Sequence, residues 1–176
     1  MLLKSFVLRI SAALCLAQAP QNPDLGAQHA AMDKLHFLVG AWSGNARIWR
    51  SPDSVLELTQ TEQVAYKLDG LVLVVEGVGV DKNTNKPTLQ ALGLISFDDV
   101  AGAYHMRAFN EGRWLESNVE LDEAQRQLRW GFTLGQIKSR SVLRLDDNGA
   151  WTETHELSFN AQPYRKFMEV SVVRTK

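Results

Sequence analysis

The sequence predicts an all-β fold, roughly ten antiparallel strands wound up and down into a barrel and accompanied by a short N-terminal helix. Three observations lead there. From Trp42 onward the chain alternates apolar and polar residues in runs rich in β-branched and aromatic side chains, the period of a strand with one buried face. Turn-forming clusters interrupt these runs at Asp69-Gly70, Asp98 to Gly102, Asn110-Glu111-Gly112, Asp122 to Gln125, Gly135, Asp147-Asn148-Gly149 and Asn160 to Pro163, each with the residue types that tight turns require. The connections are also too short for parallel crossovers, so sequential strands pair antiparallel. A meander of this length has two bare edges, which closure into a barrel removes. A two-sheet sandwich is the rival arrangement of the same strands.

The first element is a leader. Lys4 and Arg9 flank the start of an apolar run from Ile10 to Ala17, followed by Ala17-Gln18-Ala19, the layout of a secretory signal peptide. Residues 1–19 are therefore expected to be removed, with cleavage after Ala17 as the alternative because Pro20 makes a poor new N-terminus. Leu14 before Cys15 does not suit a lipid-attachment box, so no membrane anchor is expected after processing. Residues 20–176 are expected to form a single periplasmic or secreted domain. That domain lacks the chain's only cysteine, and with it any disulfide, thiolate nucleophile or cysteine-bound metal. Losing Lys4 and Arg9 from 19 basic residues leaves 17 against 20 acidic ones, with no basic cluster, which argues against nucleic acid as a partner. A hydrophobic fraction of 45% and a charged fraction of 22% are those of a folded globular chain rather than a disordered one. Nothing in the sequence decides between monomer and homodimer.

Next, Met32, Leu35, Phe37 and Leu38 fit one apolar stripe of a helix over 27–39. Strands are then expected near 42–50, 55–67, 71–80, 88–97, 102–109, 113–121, 126–134, 137–145, 150–159 and 164–174. Alternation assigns a lining, since every second residue of a barrel strand points inward. The inward sets are Trp42, Gly44, Ala46 and Ile48; Leu56, Leu58, Gln60, Glu62 and Val64; Tyr104, Met106 and Ala108; Leu128, Trp130, Phe132 and Leu134; and Trp151, Glu153, His155, Leu157 and Phe159. Ser117, Ser139 and Ser141 add small polar groups by the same reasoning. Trp49 and Trp114 fall on the outward parity.

The segment Phe37-Leu-Val-Gly-Ala-Trp-Ser-Gly44, a short helix running into Gly-x-Trp at the first strand, resembles the barrel-opening motif of the calycin superfamily, the lipocalin-like barrels. The resemblance implies that Arg174 covers Trp42. Glu62, Leu68-Asp69-Gly70, Tyr104 with Met106, and Trp151-Thr-Glu153 occur in an order similar to that of an uncharacterised bacterial family of lipocalin-like domains of unknown function. Gly40, Trp42 and Gly44 are also similar to the Gly-x-Trp-x-Gly of nitrobindins, which are haem-binding ten-stranded barrels. That likeness implies haem as a cofactor, with His155 the candidate iron ligand. Where nitrobindins continue into a glycine-repeated stretch ending in Tyr-Pro-Thr-Ile, this chain reads Asn45-Ala-Arg-Ile-Trp49. No other cofactor or metal is indicated, since the histidines show neither H-x-H nor H-E-x-x-H spacing.

Inward Glu62, Glu153 and His155 are the informative exceptions, because a buried ionisable group costs several kcal/mol unless it is paired or solvated. One expectation is that Glu62, Tyr104, Glu153 and His155 converge as a polar end to a cavity walled by Trp130 and Trp151. That cavity would bind a small, largely apolar molecule with a polar, anionic or neutral headgroup. The structural alternative is that the two carboxylates bond to backbone or to basic groups at a barrel mouth. An enzyme of isomerase, cyclase or lyase type is a second functional reading, with Glu62 or Glu153 as base and His155 as partner. A module that binds proteins through Trp49 or Trp114 is a third. Motifs for a nucleophile elbow, a phosphate loop or a dinucleotide fold are absent from the sequence.

Overall fold

In the computed structural model, residues 22–175 are described; the leader expected over 1–19 lies outside them. Asp24 caps α1 (Leu25–Asp33) by accepting a hydrogen bond from the Ala27 amide, satisfying one of the free N–H groups of the first turn. The helix expected over 27–39 is instead two pieces, α1 and a 3-10 turn at His36–Leu38. The bend lets Leu35 and Leu38 turn into the core, where both are fully buried.

Eleven strands follow: β1 (Gly40–Ser51), β2 (Ser54–Lys67), β3 (Val72–Asp81), β4 (Pro87–Asp98), β5 (Ala103–Asn110), β6 (Arg113–Asp122), β7 (Gln127–Trp130), β8 (Thr133–Leu134), β9 (Ile137–Leu145), β10 (Ala150–Phe159) and β11 (Arg165–Arg174). Neighbours pair antiparallel, and β1 pairs with β11 from Trp42 opposite Arg174 to Ile48 opposite Met168. The sheet thus closes as a ten-stranded barrel with one extra short strand, β8, which pairs on one side only. The strand expected over 126–134 is broken in two after Trp130. Here β9 passes so close to the chain that a Cβ at position 131 would stand 2.4 Å from the Ser139 carbonyl oxygen. Gly131 permits that approach, and the ladder changes partner across it: β7 joins β6 and β9, whereas β8 joins β9 alone.

The two ends of the barrel differ. At one end α1 lies across the mouth: Asp99 accepts from the Asp24 amide and from Gln28 Nε2. The Tyr66 hydroxyl donates to the Met32 carbonyl at 2.5 Å, and the Tyr104 hydroxyl to the Ala31 carbonyl at 2.6 Å. Beneath the helix, Met32, Leu35 and Leu38 pack with Trp42, Leu73, Leu128 and Trp151. Each such side chain, fully buried, contributes ~1.5–3 kcal/mol. Trp42 donates from Nε1 to the Leu38 carbonyl at 2.9 Å and meets Trp151 edge to face, with centroids 5.2 Å apart. The Arg174 guanidinium lies 4.1 Å from the Trp42 ring centroid and donates to the carbonyls of Phe37 and Val39, so the motif joins both chain ends of the barrel.

At the opposite end the strands run past the interior. Leu134 and Phe159, expected inside by alternation, are 56% and 57% exposed, because they stand at the tips of β8 and β10, beyond the level at which an inward-pointing side chain meets a facing wall. Trp114 is exposed as expected, with Arg107 stacked 4.7 Å from its centroid, while Trp49 is half-buried beside Lys166.

Candidate functional site

Below the helix-covered layer the barrel holds a cavity of about 370 Å³, within the range of small-molecule sites. Its walls include Val75, Met106, Ala108, Trp130, Phe132, Phe167 and Met168; its polar groups are Gln60, Glu62, Ser139, Ser141, Glu153 and His155, with Asn110 and Arg113 at its open end. Register explains the room inside. Glu62 stands opposite Trp42 on β1 and Gly77 on β3, and Gln60 opposite Gly44 and Gly79. A Cβ at position 77 would lie 2.8 Å from Glu62 Oε2, and one at position 79 would lie 2.7 Å from Gln60 Oε1. The glycines of β3 are therefore what accommodate these two long polar side chains inside the wall.

The polar groups form two chains. Gln60 Nε2 donates to Glu62 Oε1 at 2.7 Å. On β10, Trp151 Nε1 donates to Glu153 Oε1 at 3.0 Å and His155 Nε2 lies 2.8 Å from Glu153 Oε2. With the Nε2 proton given to the carboxylate, the neutral ring has Nδ1 free to accept from the Ser141 hydroxyl, 2.9 Å away. Trp130 and Phe167 flank the imidazole, each centroid 5.9 Å from it. Phe167 reaches this position through an irregularity in β11: His155 pairs with Met168 and Glu156 with Lys166, leaving Phe167 without a partner, as a β-bulge does when it re-aims a side chain.

Burial pushes the Glu62 carboxyl up from 4.5 to about 8; the negative charge of Glu153 adds to the rise, and the Gln60 hydrogen bond opposes it. At neutral pH Glu62 is mostly a carboxylic acid. Gln60, only 1% exposed, has an Oε1 with no hydrogen-bond partner, an orphaned acceptor of the kind buried polar groups seldom leave.

Of the residues singled out from sequence, Glu62, Trp130, Glu153 and His155 share the cavity. Tyr104 and Trp151 do not line it. Tyr104 belongs to the helix-covered end, its hydroxyl spent on Ala31, and burial raises its pKa, with a further rise from the charge of Glu123. Trp151 is buried against Trp42 and reaches the site only through the hydrogen bond that holds Glu153. Sequence reasoning placed Gln60, Ser139 and Ser141 inside without giving them a role in the site, and it missed Phe167, whose inward turn no alternation signals. Ser117 lies at the seam between β6 and β8, where its hydroxyl donates to the Gly131 carbonyl at 2.7 Å and accepts from the Gly131 amide at 3.2 Å. A surface groove along that seam shares Met106, Leu115, Trp130 and Phe132 with the cavity.

No family model matches the chain, and no curated protein matches it by sequence. Its structure is similar to that of Rv2717c from M. tuberculosis, with 12% identity and a TM-score of 0.65 over 83% of this chain and 98% of that one. It is also similar to the S-type phycobiliprotein lyase CPES from Guillardia theta, with 7% identity and a TM-score of 0.59 over 89% of this chain and 99% of that one. The fold is that of a calycin-like barrel. At these identities the likeness establishes the fold alone, and one barrel type serves many functions. His155, the residue to which the nitrobindin resemblance assigns a haem iron, has its ring nitrogens hydrogen-bonded to Glu153 and Ser141.

Proposed function

We propose that this protein is an extracytoplasmic binding protein for a small, largely apolar molecule held inside the barrel. The observation that carries the reading is the cavity of about 370 Å³ inside the barrel, with aromatic and aliphatic walls and the carboxyl groups of Glu62 and Glu153 on its polar side. A bound molecule would cover the apolar walls that the chain leaves open in its own packing. The leader read over 1–19 supports an exported setting. The structural likeness to a protein named a phycobiliprotein lyase supports small-molecule binding, since the two chains share one barrel architecture. As a general base Glu62 is disfavoured, because it is mostly protonated at neutral pH.

Two measurements test this. Native mass spectrometry of the protein isolated from its export compartment is expected to show a retained small molecule. The purified protein is expected to bind one equivalent of N-phenyl-1-naphthylamine, a probe that brightens in apolar surroundings, and Ala108→Trp, which fills the cavity, is expected to weaken that binding at least tenfold. A protein that carries no small molecule, together with probe binding that Ala108→Trp leaves unchanged, would overturn the reading.

A further inference from the structure

The cavity holds more side-chain acceptors than free N–H donors, while the Ser139 hydroxyl and the proton on Glu62 remain as O–H donors. On the acceptor side stand Gln60 Oε1, with no partner, Glu62, whose only protein donor among the described residues is Gln60, and Glu153. The side-chain N–H groups that face them are already committed: Gln60 Nε2 to Glu62, and both Trp151 Nε1 and His155 Nε2 to Glu153. The titratable and charged groups lining the cavity are Glu62 from β2, Glu153 and His155 from β10, and Arg113 at the start of β6. Arg113 is exposed and adjoins the turn at the open end. Two carboxyl groups therefore face one apolar chamber with no lysine or arginine beside them.

Resting on the binding reading above, we infer that the ligand is a hydrophobic amine: an apolar chain or ring whose protonated nitrogen donates to the carboxyl groups of Glu62 and Glu153. A carboxylate head placed beside Glu62 and Glu153 would add a third acid there, a desolvated like-charge contact that costs affinity, and would meet a cation only at the open end, in Arg113. An ammonium group meets the opposite situation, placing positive charge and N–H donors beside the two carboxyl groups. The high proton affinity of Glu62 agrees with this, since burial and the charge of Glu153 keep the proton on in the empty site. Arrival of an ammonium group would displace that proton, so binding at neutral pH is coupled to proton release. The sequence alone suggested an anionic or neutral headgroup; the distribution of committed and open hydrogen-bonding groups reverses that expectation.

The test compares three ligands with the same tail. Decylamine, 1-decanol and decanoate compete with N-phenyl-1-naphthylamine for the full protein at pH 7 and physiological salt. Decylamine is expected to displace the probe at a concentration at least tenfold below that of decanoate, and calorimetry in buffers of different ionisation enthalpy is expected to show close to one proton released per amine bound. In Glu62→Gln the proton release disappears and the preference for amine over acid narrows to within about threefold. If the variant fails to fold, the wild-type ratio and proton count still decide. Decanoate binding as tightly as decylamine, or amine binding without proton release, would overturn the amine inference while leaving a binding cavity in place. If neither the probe nor any decyl compound binds, the reading beneath it falls as well.

Discussion

The covered end of the barrel and the chamber beneath it are built by the same strands, yet they treat polar groups in opposite ways. At the covered end Tyr66, Tyr104 and the Trp42 indole each donate to a main-chain carbonyl of the N-terminal segment. The helix arrives over that mouth with carbonyls that the strands' side chains complete. In the chamber the polar side chains bond mainly to one another, and Gln60 keeps an open acceptor. One end spends its polar groups on the fold; the other holds some in reserve. A barrel that needs both a solid core and a usable interior can obtain them by stacking the two along its axis.

The sharpest way to break this contrast is Trp42→Ala, which removes a fully buried side chain, its contact with Trp151 and the seat of Arg174. The unfolding free energy in urea is expected to fall by about 4 kcal/mol; a loss below about 1 kcal/mol would mean that the covered end does not carry the stability. Second comes the pH dependence of the chamber. Because Glu62 is held at about 8 in the fold against an ordinary 4.5, the native state keeps a proton that the unfolded chain releases between those values. Stability is therefore greatest below about pH 4.5 as far as this group is concerned, and declines as pH rises toward 8, by on the order of 4 kcal/mol in full. Glu62→Gln should abolish that component, so the variant should gain on the wild type steadily from pH 5 to pH 8 in paired urea melts. A constant difference across that range would contradict the buried-acid picture.

A smaller effect separates the two regions directly. Tyr104→Phe removes the hydroxyl bond to the Ala31 carbonyl, which keeps only the Lys34 amide, and is expected to cost about 1 kcal/mol in thermal or urea unfolding, while probe affinity in the chamber stays within twofold. Reduced probe binding at unchanged stability would instead return Tyr104 to the site. Smallest of all, Leu134→Ser and Phe159→Ser should change stability by no more than about 0.5 kcal/mol each, since both side chains stand past the rim.

Much of this was legible in advance, for local reasons. The turn clusters, from Asp69-Gly70 to Asn160–Pro163, fall between strands, and several of their residues, among them Asp69, Glu111 and Asn160, adopt positive φ. Alternation placed Glu62, Glu153 and His155 on the inner face because a strand's side-chain period is two residues whatever its partners. Alternation is silent on depth, however. Tyr104 and Met106 share a face, yet the first belongs to the helix-covered layer and the second to the chamber wall, a difference set by how far each strand extends past its neighbours. The split at Gly131 and the inward turn of Phe167 were equally hidden, because each depends on a strand remote in sequence, β9 in one case and β10 in the other.

The sequence by itself pointed to antiparallel strands with a helix before them and to the inner face for Glu62, Glu153 and His155. These follow from residue-by-residue conformational preference and from the two-residue period. Only the tertiary structure decided which inward residues meet. Closure of β1 on β11, the path of α1 over one mouth and the glycines of β3 together set the height of each side chain in the barrel. Hydrogen bonds act over about 3 Å, so those heights determine that Tyr104 is committed to the helix, that His155 is held by Glu153 and Ser141, and that Gln60 keeps its oxygen open.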